Sequence, residues 1–548
     1  MRHPKSTSHS VRPVAFAGVA LAFLFGCAPP GHVGTGIAGA SGTTGTAGAS
    51  GGSAGPGSGG VQVGSAGAAG SVAGSGGRGG GGVGTGGSAT GAGGTSAGGN
   101  GATGGTAGTS GGGGVAGTGT AGSGTGGTAG TGGTGGTTPP RGPTPAMNGI
   151  NFPFPQNREM SARCVYPAGY LNADVMTAYA TWKNDVVTNS GAGNYRRVQR
   201  TASDGVNMYT PAMSTVSEGI GYGMLIAVYM GGKDDQLLFD DLWNYSQLHK
   251  DANGLMNWSI TSTGTNTPMQ QGGATDADED IAFALLMADK QWGMMSTGTT
   301  KYLDLAKTQI NNIWLHEIVD SKLAGPGDSW GTANLWANIN ISYFAPAYYR
   351  LFKMVDSGHA WDAVIQTTYD TIMYSLTTMN GNASNGLVPA WCASNTANGT
   401  TTISGSQAGP FNYQYDSCRT PFRIALDWCW NGETRAQAYL MKTSSFFSGI
   451  GAANIVDGYD LTGAKHVQFS PATTAPTLAQ QSAAFLGPAG VGAMVASSFQ
   501  PFLNDSYARV ATGQLKVGGA YYDESWTMLS LLMMTGNMLD YTQIQPAH

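Results

Sequence analysis

From residue 31 to residue 138 the chain is built almost wholly of glycine, alanine, serine and threonine, as in GTSAGGNGATGGTAGTSGGGG. Of its 548 residues 90 are glycine, and the excess over the ordinary share of about 7 % is concentrated in this block. A segment with almost no apolar side chains has nothing to bury, so it cannot offset the entropy lost on ordering. Residues 28–147 therefore read as a disordered Gly/Ser/Thr/Ala-rich tether, stiffened near its end by Pro139, Pro140, Pro143 and Pro145. What folds must follow it. Residues 148–548 are rich in Trp, Tyr, Phe, Leu and Met and contain no second low-complexity break, which favours one large domain.

The tether is preceded by an export signal. Arg2, Lys5 and Arg12 lead into the apolar run VAFAGVALAFLFG, which ends at Cys27. This run is too short to span a bilayer. Leu24-Phe25-Gly26-Cys27 is similar to a bacterial lipobox, in which the cysteine is acylated; Phe25 is bulkier than the usual residue there. Residues 1–27 thus predict an exported chain, either a surface lipoprotein attached through Cys27 or a secreted protein cleaved nearby. A lipid on Cys27 would be its only link to a membrane. Cys164, Cys392, Cys418 and Cys429 follow, and export permits their oxidation. On one predicted helix Cys418 and Cys429 would stand about 16 Å apart. That exceeds the reach of a disulfide, about 7 Å between Cα atoms, so these two should not pair.

The formal net charge is −5 and charged residues make up only 10 % of the chain, which leaves no electrostatic footprint for nucleic acid. The folded part has no HExxH, Walker A or cysteine–histidine pattern, so no metal or cofactor is expected. GxSxG at residues 108–112 and the many GxGxxG matches fall in the glycine tract, where they carry no meaning.

Helical periodicity dominates after about residue 170. It predicts helices over residues 174–189, 217–230, 237–248, 277–292, 301–319, 343–355, 361–379, 420–430, 433–449, 481–498, 506–512 and 522–535. Some, such as 301–319, are amphipathic. Others, such as 217–230, are apolar on every side and must be buried on every side. An inner ring of buried helices within an amphipathic outer ring fits this alternation, and so does an irregular bundle.

Three acidic stretches stand out against it. In VSEGIGYGM, Glu218 begins a buried helix beside Gly219, Gly221 and Gly223, which would let backbone or a sugar chain approach closely. As a structural feature, Ser217 would cap the helix and Glu218 would meet its dipole, but the capping-box position holds Ile220. In ATDADEDIA four acids fall within five residues at a helix start. An EF-hand is excluded by Ile281 at the glycine position and Met287 at the final Glu position. Asp276 is placed to be an N-cap, while Asp280 shares a face with Ala284 and Met287 that a solvated charge would avoid. In YDSCRTPFRIALDW, Pro421 suits a first helical turn, with Asp416 outside it and Arg419 near enough to pair with Asp416. Trp258, Trp330, Trp336, Tyr343, Trp391, Tyr413 and Tyr459 fall in loops or at helix starts, where they are either core or platforms for sugar rings.

These stretches together resemble glycoside hydrolase family 8. SEGIGYGM, ATDADEDIAFALLMADKQW, SYFAPAYYRLF, GLVPAWC, YDSCRTPFRIALDW and YYDESWTMLSLLMMTGN follow that family's order, and NFPFPQN at residue 151 is similar to its start. The resemblance covers about residues 148–540. It implies an all-α fold, an (α/α)6 barrel with an open substrate cleft, and an inverting endohydrolase of β-1,4-glycans, cellulose-type glucans first. It makes Glu218 the general acid, Asp416 the general base and Asp276 the acid that grips the sugar. It further implies that Arg419 and Tyr343 support the base and that Trp258, Trp330, Trp336 and Tyr413 line the substrate. The expected partner is a β-glucan polysaccharide, met by a monomer. Xylan and mixed-linkage glucan stay open as substrates, and chitosan is less favoured. A non-catalytic carbohydrate-binding surface protein would not need all three acids, and a tethered structural protein would need none.

Overall fold

The computed structural model describes residues 149–545, apart from 202–203, 205–208, 268–270, 331–335, 398–399 and 469–479. The tether and Cys27 lie outside the described residues. Among these there are twelve α-helices: α1 (Asn172–Val186), α2 (Ser217–Met230), α3 (Lys233–Leu248), α4 (Thr275–Gln291), α5 (Tyr302–His316), α6 (Pro346–Val355), α7 (Trp361–Ser375), α8 (Thr420–Asn431), α9 (Thr434–Ile450), α10 (Ala483–Gly492), α11 (Gln500–Ala511) and α12 (Ala520–Met534).

The even-numbered helices touch one another in a closed cycle, α2–α4–α6–α8–α10–α12–α2. The helices α3, α5, α7, α9 and α11 each pack against an even-numbered neighbour in sequence, and α1 packs against α12. The result is an all-α barrel with an inner and an outer ring, and the irregular bundle is set aside. Burial follows the rings. Every residue of α2 and α10 is buried, whereas α5 buries a stripe of Tyr302, Ala306, Gln309, Ile310 and Ile313. Such a stripe is what an outer helix with one apolar face requires. Phe283 of α4 stacks on Tyr348 of α6 with ring centroids 4.0 Å apart.

Close approach within the inner ring depends on small residues. A Cβ at Gly221 of α2 would lie 2.9 Å from the Asp280 Cβ and 3.2 Å from the Ala277 carbonyl of α4. Gly219 and Gly223 face Val198, with Tyr521 beside the first and Leu242 beside the second. All three glycines therefore make room for protein, and the sugar alternative for them is not needed.

Strands are few and short. Four antiparallel pairs occur among the described residues: β1 (Val187–Thr188) with β2 (Arg197–Val198), β3 (Thr215–Val216) with β4 (Ser259–Ile260), β5 (Ile318–Val319) with β6 (Leu323–Ala324), and β7 (Cys392–Ala397) with β8 (Thr400–Gly405). The β3–β4 pair, in register Val216↔Ser259, delivers the chain into α2. Cys164 and Cys429 form a disulfide that ties the segment before α1 to α8, with Cα atoms 5.5 Å apart. Cys392 and Cys418 are buried and unpaired. Cys418 stands two residues before α8 rather than on it, and as expected it does not pair with Cys429.

Candidate active site

The inner helices bring their N-terminal ends to one place. Glu218 is the second residue of α2, Asp276 the second of α4, Arg419 the residue before α8 and Tyr521 the second of α12. The turn Ile341–Tyr343 leads into α6. Each start has a local cause. The Ser217 amide at the head of α2 is capped by the Trp258 carbonyl at 3.0 Å, and the Ser217 hydroxyl, expected to be the cap, has no partner. In α4 the helix begins at Thr275, so Asp276 lies inside the first turn and is not the N-cap; that position is Ala274. The Asp276 carboxylate is engaged elsewhere.

It is engaged by Arg419, which is fully buried and gathers all three acids. Arg419 Nη1 donates to Glu218 Oε2 and to Asp276 Oδ2, the latter at 2.9 Å, and Nη2 lies 3.4 Å from Asp416 Oδ1. Its Nε donates to Ser342 Oγ at 3.0 Å, and its guanidinium lies 5.0 Å from the centroid of the Tyr343 ring. The second Glu218 oxygen accepts from the Tyr521 hydroxyl. Asp416 Oδ2 accepts from the Gln414 amide at 3.0 Å and from the Trp391 indole N–H at 3.2 Å. Glu218 and Asp416 thus occupy different nitrogens of one planar cation, while Glu218 and Asp276 share one nitrogen.

The four acids at the start of α4, Asp276, Asp278, Glu279 and Asp280, are all buried, because successive helical positions point to different neighbours of an enclosed helix. Asp276 meets Arg419 and Asp280 forms a bidentate pair with Arg423, both bonds at 3.0 Å. Glu279 accepts from Tyr349 at 2.7 Å and Asp278 from Gln309 at 2.9 Å. The expectation that Asp280 avoids solvent holds, and its partner is Arg423.

Burial raises Asp276 to about 8, with Arg419 pulling it down and the Glu218 carboxyl pushing it up. Two carboxyls on one nitrogen cannot both ionise at little cost. Burial also raises Asp416 above the usual carboxylate range, opposed by Arg419, Gln414 and Trp391. Hydrogen bonds to the ionised form have that sign. The site therefore places two carboxyls on one guanidinium nitrogen and a third, Asp416, against three donors.

The aromatic residues divide. Tyr343 lies against the Arg419 guanidinium and meets the Trp391 ring edge-on at 6.3 Å. Trp258 is half-buried beside the start of α2. Trp336 is half-buried, with its Nε1 donating to Asp320 Oδ2 at 2.7 Å and the Lys322 ammonium 5.4 Å from its ring. Trp330 closes the turn Asp328–Trp330, and its side chain lies outside the described residues. Tyr413 is a correction: it is fully buried, bridged by backbone to Tyr459 and packed edge-on against Phe485, so it belongs to the core and offers no face to a sugar. Tyr459 is buried in the same cluster. Trp391 is buried too, and its role is the hydrogen bond to Asp416.

Tyr521, Gln414 and Ser342 were not singled out from sequence. Each lies within one or two residues of a segment boundary, and nothing local marks it. Among the described residues no group of three His, Cys, Asp or Glu side chains is arranged to hold a metal ion.

The family described as Glycosyl hydrolases family 8 matches residues 159–536. Endoglucanase A of Acetivibrio thermocellus is 36% identical over 370 residues, covering 67% of this chain and 70% of that protein. A beta-glucanase of Niallia circulans is 33% identical over 408 residues, covering 71% of this chain and 92% of the other. Among solved structures, a beta-1,3-1,4-glucanase from Paenibacillus superposes with a TM-score of 0.60 at 30% identity, covering 71% of this chain and 99% of that one.

Proposed function

The chain belongs to glycoside hydrolase family 8, and from that membership we propose that it is an endo-acting, inverting hydrolase of internal β-1,4 bonds in cellulose-type glucans. The observation that carries the reading is the convergence of Glu218, Asp276 and Asp416, from three separate segments, on the one buried guanidinium of Arg419. In this reading the barrel is of the (α/α)6 type and its cleft crosses the end where the inner helices begin. Residues 148–548 form the catalytic domain. Residues 1–27 direct export, with Cys27 as a lipid attachment point, and residues 28–147 tether the domain.

Inversion requires an acid on one side of the glycosidic bond and a base-held water on the other, with carboxyls about 6.5–9.5 Å apart. Glu218 donates its proton to the departing glycosidic oxygen. Asp416 takes a proton from the water that attacks the anomeric carbon from the opposite face. Asp276 accepts a hydroxyl hydrogen of the sugar at the cleavage point, and Arg419 keeps the three carboxyls in register. Tyr343 backs the guanidinium, and Trp258, Trp330 and Trp336 supply apolar ring faces along the cleft.

The test is direct. The domain should release new reducing ends from carboxymethylcellulose and lower its viscosity early, as internal cleavage does. Mixed-linkage glucan is the second substrate, because relatives are named beta-glucanase and beta-1,3-1,4-glucanase. Xylan is a weaker third and chitosan should be poor. The first product detected by NMR should be the α anomer. No release from any of the four polymers would end the enzyme reading, and a β product would remove Asp416 as base.

A second outcome follows from the shared nitrogen. Asp276→Asn leaves a single ionisable carboxyl on that nitrogen, so the alkaline limb of kcat/KM should move to lower pH. An unmoved limb in an active variant would separate Asp276 from the acid electrostatically.

A further inference from the structure

Asp416 uses its two oxygens unequally. Oδ2 accepts two hydrogen bonds, from Gln414 and Trp391, while among the described residues Oδ1 has only the long contact to Arg419 Nη2 at 3.4 Å. The less occupied oxygen is the one with capacity for a water. Trp391 is 1 % exposed and its indole N–H is spent on this carboxylate; a buried indole N–H needs such a partner.

The surrounding chain fixes the indole closely. The Trp391 amide donates to the Pro410 carbonyl at 3.1 Å and the Ala390 amide to the Asn412 carbonyl at 2.8 Å. The next residue, Cys392, exchanges two backbone hydrogen bonds with Ile339, at 2.8 and 2.9 Å, and begins the β7–β8 hairpin. The ring is held edge-on by Tyr343. A further neighbour is Gly409, where a Cβ would come within 2.8 Å of the indole Cγ and closer still to Cδ1. Any side chain at 409 would have to move the ring. Contacts of that length are essentially never seen for a real Cβ.

We propose that Trp391 is a positioning residue for Asp416: its indole N–H, with the Gln414 amide, fixes Oδ2 so that Oδ1 is presented to the attacking water, and Gly409 provides the clearance that sets the indole. This rests on the reading of Asp416 as the general base. The charged groups facing Asp416 are Arg419, adjacent to it, and Glu218. Trp391 adds a neutral donor to that field. Its removal should therefore act through the orientation and ionisation of the base, and not through sugar binding.

The experiment compares Trp391→Phe, Gly409→Ala and the double variant on carboxymethylcellulose across pH. Phe keeps the ring and loses the donor. Trp391→Phe should lower kcat by roughly 10- to 100-fold, a fraction of the 10²–10⁴ that proton transfer supplies, with KM changed by less than about twofold. Its acid limb should move to higher pH, because the lost donor favoured the ionised base. Gly409→Ala should move the limb the same way, and the double variant should be no worse than Trp391→Phe alone. If Trp391→Phe fails to fold, Gln414→Met removes the other donor to Oδ2 and should shift the same limb. An active wild type whose acid limb stays put in Trp391→Phe, or in Gln414→Met, overturns this inference alone. So does a full additive loss in the double variant, which would mark Gly409 as acting on packing. A wild type inactive on every polymer overturns this inference together with the reading of Asp416.

Discussion

Glu218→Gln should abolish hydrolysis of β-glucan polymers, with kcat falling by about 10³-fold or more, whereas a substrate with a good leaving group should be spared much of that loss. A sugar hydroxylate is a poor leaving group, so its departure needs a proton, and general acid catalysis supplies about 10²–10⁴-fold. An aryl leaving group departs as a weak base and needs little help. Asp416→Asn should behave differently, losing activity on both substrates, because water must be activated whatever leaves. Both variants remove a buried carboxylate from the same arginine and replace it with an isostere, so a mere structural loss would affect them alike. The split between substrates is the readout, taken as kcat/KM for carboxymethylcellulose against an aryl cello-oligosaccharide. If Glu218→Gln lost both activities equally, Glu218 would not be the proton donor. If Asp416→Asn kept the aryl activity, the base would have to be sought elsewhere.

Parts of this site were legible in sequence, and the reasons are local. Helix α2 was predicted with the bounds it has, Ser217–Met230. It is apolar all round and flanked by clear breaks. The three acids were visible because a charge in an apolar run is anomalous anywhere it occurs. Other boundaries moved for specific reasons. The helix predicted from residue 343 starts at Pro346, since proline disfavours helical backbone at the residue before it, and Tyr343 occupies a separate turn. The helix predicted from 506 starts at Gln500, because a proline at the first helical positions is well tolerated. The β7–β8 hairpin carries a polar threonine-rich pattern in which Cys392 and Ile403 are the buried side chains among those described, too few for period-two alternation, so it read as loop.

What the chain's order conceals is the hub. Arg419 was read as the neighbour of Asp416, three residues away. Its contacts with Asp276 and Glu218 span 143 and 201 residues, and only the closure of the inner ring brings them together. Trp391 and Tyr413 show the same limit from the other side. Each is an aromatic residue beside polar ones, and burial, which sequence does not display, makes one a partner of Asp416 and the other core.

The hub sets the second large effect. Arg419→Met should destabilise the fold by roughly 3–5 kcal/mol at pH 7–8, the cost of leaving buried charge without its partner, besides removing activity. Arg419 has no exposed side-chain surface, and Glu218, Asp276 and Asp416 are each exposed by 3 % or less. Arg423, which also acts on Asp276, is already bound to Asp280. The sign of the pH dependence follows from linkage. With Arg419 in place Asp276 already lies at about 8 and Asp416 above its usual range, and Arg419 pulls both down. Without it their folded-state values rise further while the unfolded values stay near 4. Below the wild-type folded values variant and wild type hold the same protons, so the variant's added loss opens as pH rises through those values, about 8 for Asp276 and above the usual range for Asp416. Arg419→Met should therefore lie closest to the wild type near pH 5 and furthest from it above about pH 8. Denaturant titrations on either side of that value measure this. An equal loss at both would mean that the arginine contributes packing, and that the three carboxyls do not depend on its charge. Arg419→Lys is not a remedy, because one ammonium cannot replace two guanidinium nitrogens that face different acids; it should hold at most the Glu218–Asp276 side and leave Asp416 unpaired.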